Sequence, residues 1–170
     1  MSKAFTRESD DAPEPGPLPR LVSSLPPGAK NYLTPDGARR LETELACLIQ
    51  ERSQIIASAR ESDARLRLPA MDQRILQLQH GLQTAVITPA PPPPWDQVRF
   101  GATVAVRHDN GEASVYRIVG LDETDVDRGW VSWLSPIAKA LLNARLGGKV
   151  RFKFPSGEEP LEIVTIAFDP

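Results

Sequence analysis

Four carboxylates within six residues, Asp122, Glu123, Asp125 and Asp127, have the density that calcium coordination by oxygen ligands requires. They lack the glycine and the terminal glutamate of an EF-hand loop, so a solvated connection is expected there. Gly147-Gly148-Lys149 lacks both the upstream glycine and the following Ser/Thr of a phosphate-binding loop, and reads as a turn. One cysteine, Cys47, and two distant histidines, His80 and His108, cannot complete a four-ligand zinc site. Neither histidine lies in a nucleophile motif. The residue types predict no metal, no cofactor and no catalytic residue, so the chain is not expected to be an enzyme by itself.

The remaining polar cluster, Glu61 and Asp63 among Arg60, Arg65 and Arg67, separates two apolar seams. Leu41, Leu45, Leu48, Ile55 and Ala59 recur at alternating steps of four and three, broken at Arg52. Leu68, Met71, Ile75, Leu78, Leu82 and Ala85 keep the alternation without a break. Two heptad seams joined by a few polar residues predict an antiparallel coiled-coil hairpin with its turn within 61–67. Thr34 is the expected cap of the first arm, Pro35 its first helical residue and Asp36 its acidic first turn. An arm from Pro35 to about Arg60 would be about 40 Å long. Pro69 is expected to reopen the helix, and Gly81 to cost it about 1 kcal/mol.

Composition sets the wider frame. The 170 residues carry a net charge of −2, and the pI of 5.7 does not mark a free-standing nucleic-acid binder. A single cysteine fits a reducing compartment, and no apolar run approaches the length of a membrane span. Glu8, Asp10 and Asp11 precede any apolar stretch, which is wrong for a secretory signal, so a cytoplasmic protein is expected. Residues 1–31, rich in Asp/Glu, Ser and Pro, read as a disordered tail, with a short linear contact site as the alternative. Residues 32–88 form the hairpin and 89–95, with Pro91 to Pro94, a stiff linker.

From 96 to 170 the pattern turns strand-like. Ala102 to Val106 and Ser114 to Val119 flank the turn His108-Asp109-Asn110-Gly111, a hairpin signal. Trp130 to Leu134, Val150 to Phe154 and Leu161 to Phe168 supply three more strands, and Pro136 opens a short helix through Ile137, Leu141 and Leu142. The fold class is α+β: a helical hairpin followed by a small antiparallel sheet with one helix.

These segments resemble one family in order. Asn31-Tyr32-Leu33-Thr34-Pro35-Asp36-Gly37, followed by Leu41 and Leu45, resembles the start of the bacterial GreA/GreB transcript-cleavage factors. Val98-Arg99-Phe100-Gly101-Ala102-Thr103-Val104 and Tyr116-Arg117-Ile118-Val119-Gly120 are similar to their C-terminal domain. Ser135-Pro136-Ile137-Ala138-Lys139-Ala140-Leu141-Leu142, ahead of Gly147, is the most specific stretch. The acidic opening, with Glu8-Ser9-Asp10-Asp11, looks more like the GreB branch.

The resemblance implies an FKBP-like C-terminal domain that docks on the rim of the RNA polymerase secondary channel. Ser135, Pro136, Ile137, Ala138 and Lys139 would carry that docking. It implies a monomer with no membrane partner, and contact with nascent RNA only through the polymerase. In the family, acidic residues at the hairpin tip help hold a Mg²⁺ ion and a water, so that polymerase cuts its own backtracked RNA. Here the Gly-Asp-x-x-Glu-Asn-[Ala/Gly]-[Glu/Asp]-Tyr tip motif is missing with flanking helix, about 15 residues in all. The reach is then shorter by about 10 Å at 1.5 Å per residue. Gly148 also replaces a usual aspartate. The implied function is a polymerase-binding regulator that does not stimulate cleavage. Two alternatives stay open: a cleavage factor using Glu61 and Asp63, and an FKBP-like peptide binder unrelated to transcription.

Overall fold

The computed structural model describes residues 25–58 and 61–169, with the side chains of 61–65 excepted. Most of the expected tail, 1–24, lies outside the described residues. Its last stretch does not behave as a tail: Asn31 is buried and opens strand β1 (Asn31–Leu33).

Helix α1 (Pro35–Ser58) starts where its cap residues predict. The Thr34 hydroxyl accepts a hydrogen bond from the Gly37 N–H at 2.9 Å, satisfying one of the donors a helix leaves free at its start. Helix α2 (Glu61–Gln83) corrects two expectations. Residues 61–67 are helical rather than turn, and Pro69 lies inside the helix rather than at its start. Helix α1 ends at Ser58 and α2 begins at Glu61, and the cross-arm pairs Glu44–Arg74 and Glu51–Arg67 show that the two run antiparallel. Proline costs a helix interior about 3 kcal/mol, and here it is carried by the pairing of the two arms on either side of it.

The seam is filled unevenly. Leu41, Ile55, Ile75 and Leu78 are buried, whereas Leu45, Leu48, Leu68, Met71 and Leu82 are half-buried. Arg52, the break in the first seam, meets Asp72 of the other arm at 2.5 Å. That hydrogen bond, with the Asp72 charge, raises the Arg52 guanidinium above its ordinary pKa.

The second arm does not run to Ala85 as a helix. Ala85 begins strand β2 (Ala85–Ile87), which pairs in parallel with β1 in the register Asn31–Ala85, Tyr32–Val86 and Leu33–Ile87. Asn31 Nδ2 also donates to the Gly81 carbonyl at 2.9 Å. Leu33, fully buried, packs with Ala38, Leu41 and Leu78 in a small core at the hairpin root.

The remainder is a five-stranded sheet in the order β5-β4-β3-β7-β6, made from β3 (Ala102–His108), β4 (Ala113–Val119), β5 (Trp130–Ser132), β6 (Lys149–Phe154) and β7 (Gly157–Phe168). The expected purely antiparallel sheet is corrected at one edge, where β5 runs parallel to β4. A crossover through the 3₁₀ turn Leu121–Glu123 makes that direction available. Alternation along β3 buries Ala102, Val104 and Val106 on one face. Helix α3 (Pro136–Leu141) covers that face with Ala138 and Leu141, both fully buried. The chain is thus a mixed α+β protein: a helical hairpin with a small core at its root, and a sheet with its own.

A methyl group added to Gly37 would overlap the Glu123 carboxylate, whereas one added to Gly81 would meet only Asp122 Oδ2, at 3.0 Å. Gly37→Ala is therefore expected to lower stability by about 1–3 kcal/mol in urea unfolding. Gly81→Ala, which gains about 1 kcal/mol of helix propensity, should leave stability unchanged or raise it.

Candidate functional site

Of the five residues expected to form a docking surface, the structure exposes two. Ser135 caps α3, its hydroxyl accepting from the Ala138 N–H at 3.2 Å. Pro136 takes the first helical position, where its missing N–H costs nothing. Ala138 is fully buried and Ile137 packs against the sheet core, so both build the surface from beneath. Pro136 and Lys139 face solvent, beside the half-buried Ser135.

Glu61 and Asp63 fall in the first turn of α2, and their side chains lie outside the described residues. No cluster of three or more His, Cys, Asp or Glu able to hold a metal occurs among the described residues. Cys47 is exposed on α1. His108 bridges strands rather than marking a loop: one ring nitrogen lies 2.8 Å from Glu159 Oε1, the other 2.8 Å from Ser114 Oγ. The three residues tie β3, β4 and β7 together near the β3–β4 turn. Gly148 is explained by space, since an added Cβ would stand 2.9 Å from the Arg145 carbonyl oxygen.

The acidic run 122–127, expected to be a solvated connection, contains the residue that joins the hairpin to the sheet. Glu123 is buried. Its Oε2 accepts from the backbone N–H groups of Thr34 and Gly120, each at 2.9 Å. Its Oε1 accepts the Thr34 hydroxyl at 2.5 Å, and Arg40 Nη2 stands 3.6 Å away. The Arg40 guanidinium also lies over the Trp130 ring, 4.3 Å from its centroid. Beside this joint, Tyr32 contacts Trp133 edge-on at 5.2 Å and Phe100 at 5.6 Å. Pattern reading missed Glu123 because its partner Thr34 is 89 residues away. The local signal that existed was the glycine pair, Gly37 and Gly120, each of which leaves room that a Cβ would fill.

Along the hairpin, each arm presents charge to the other. Arg74 makes two hydrogen bonds to the Glu44 carboxylate, at 2.7 and 2.9 Å, which raise its pKa above the ordinary value. Arg67 meets Glu51 at 2.9 Å. These pairs are exposed and individually worth about 0–1 kcal/mol. Their role is register, because a slip of one turn breaks them together.

A paired-helix projection rooted in a sheet defines a protein that presents a rod from a sheet body. Comparison with known proteins gives that class a family. Residues 92–168 match the family model for the C-terminal region of the GreA/GreB transcription elongation factors. A GreB of Neisseria meningitidis serogroup B is 36% identical over 154 residues, covering 82% of this chain and 94% of that protein. A GreA of Alkalilimnicola ehrlichii is 39% identical over 156 residues, covering 82% and 99%. A solved GreA/GreB structure from Nitrosomonas europaea is 23% identical with a TM-score of 0.41, covering 82% and 100%. The chain belongs to the GreA/GreB family of transcription elongation factors.

The burial of α3 separates fold from surface. Ala138→Asp, which places an unpaired charge in the core, should unfold the sheet or lower its melting temperature sharply. Lys139→Glu should melt within a degree or two of the native chain, since surface substitutions change stability by about 0.5 kcal/mol or less; thermal melts followed by circular dichroism separate the two.

Proposed function

We propose that this Gre-family member binds RNA polymerase at the secondary channel and regulates transcription without stimulating transcript cleavage. One observation carries the reading: the hairpin has arms of 24 and 23 residues, and its reversal has none of the family's acidic tip motif. The comparisons support missing positions within the matched region. The match to the N. meningitidis GreB runs over 154 positions but occupies 82% of 170 residues, about 139, so about 15 positions have no counterpart here. A tip about 10 Å short does not reach a metal whose oxygen ligands must lie at about 2 Å.

In this reading residues 32–88 form a coiled-coil hairpin, 89–95 a linker and 96–170 an FKBP-like domain that docks on the channel rim. Pro136 and Lys139 are the contact residues of the docking segment, with Ser135, Ile137 and Ala138 holding their shape. The factor acts as a monomer of the GreB-like branch in the cytoplasm. It lends no catalytic group of its own, and meets nascent RNA only through the polymerase.

Purified protein added to backtracked elongation complexes is expected to leave the rate of transcript shortening unchanged, while it co-purifies with core polymerase. Mg²⁺-dependent shortening abolished by Asp63→Ala would overturn the reading in favour of a cleavage factor. Lys139→Glu should weaken polymerase binding by roughly tenfold, the effect of about 1.4 kcal/mol, in a pull-down or titration. Absence of any co-purification would instead favour a peptide-binding module.

A further inference from the structure

Where the hairpin meets the sheet, one side chain, Glu123, takes hydrogen-bond donors from both. Thr34 gives Glu123 its backbone N–H and its hydroxyl, and Gly120 gives its backbone N–H. Thr34 is at the same time the cap of α1, its oxygen accepting from Gly37 N–H. The first turn of the hairpin and the 3₁₀ turn of the sheet region are therefore held by one continuous set of hydrogen bonds. The Glu123 side chain is fully shielded from solvent. Rotating the hairpin about its root would strip donors from a buried carboxylate that water cannot reach, which is strongly penalised. Gly37 and Gly120 allow the close approach, because a Cβ on either would collide with Glu123 or with the Tyr32 carbonyl. Arg40, between Glu123 and Trp130, closes the remaining side.

We propose that Glu123 is a positioning residue that locks the hairpin at one angle to the sheet. The hairpin is a lever: 24 residues of α1 extend about 36 Å at 1.5 Å per residue. A swing of about 10° at the root then moves the tip by about 6 Å, more than half the shortening inferred for this chain. A docked sheet delivers the hairpin into a narrow channel only if the root holds its angle. The delivery half of this inference rests on the polymerase-binding reading; the lock does not.

The chain's one cysteine, Cys47, is exposed on α1, and Val164 is exposed on β7. Spin labels at Cys47 and at V164C report the hairpin-to-sheet distance by pulsed electron resonance. With Glu123 present, one narrow distance distribution is expected. Glu123→Ala should broaden or shift it while helical circular dichroism is retained. Glu123→Gln should fall between, since the amide oxygen still accepts from the Thr34 and Gly120 N–H groups. A distribution as narrow and centred in Glu123→Ala as in the native chain overturns the lock. Should that variant not fold, Glu123→Gln decides: broadening supports the lock, and an unchanged distribution overturns it.

Polymerase titration supplies the functional arm. If the hairpin points correctly for about a tenth of the time in Glu123→Ala, apparent affinity falls about tenfold. Native affinity in a variant whose distances have broadened overturns the delivery role. A native chain that fails to bind polymerase defeats the proposed function and leaves the distance result standing.

Discussion

A carboxylate removed from water must find donors, and in this protein that requirement holds the architecture together. Glu123 collects three hydrogen bonds and a guanidinium within a space cleared by two glycines. The hairpin root and the sheet each have a small apolar core, built around Leu33, Leu41 and Leu78 in one case and Val104, Ile118 and Leu161 in the other. Apolar burial is non-directional; it brings the two cores together without choosing an angle. The hydrogen bonds of Glu123, with the Tyr32 ring set between Phe100 and Trp133, supply the direction.

The hairpin beyond its root is held differently. Few of its seam residues are fully buried, and the seam itself admits Arg52 against Asp72. A polar pair in a heptad seam lowers stability and fixes register. With Glu44–Arg74 and Glu51–Arg67 it makes a rod whose alignment is set by charge more than by packing. That alignment fixes where the end of the rod falls relative to its root.

Much of this was legible from local pattern. Thr34-Pro35-Asp36 placed the start of α1, and Ser135-Pro136 the start of α3, because caps are written in adjacent residues. The β3–β4 hairpin followed from alternation around His108-Asp109-Asn110-Gly111. The reversal between the arms was misplaced, since a proline and a run of polar residues argue locally for a turn while cross-arm pairing argues for helix. The β1–β2 pair was invisible: three-residue strands joined across 54 positions leave no periodic trace. Within Ser135 to Leu142, only folding shows that Ile137 and Ala138 point inward. Glu123 was read as solvated because its donors are assembled by the tertiary fold.

The short parallel pair β1–β2 bears on how the protein carries mechanical load. It joins the strand entering the hairpin to the strand leaving it, with Asn31 fastened again to the Gly81 carbonyl. Its backbone hydrogen bonds close the base of the hairpin, so the two arms are joined at the root as well as along their length. The base of the rod is built like a collar, and prising its arms apart there means breaking the strand pairing and the Asn31 bond together.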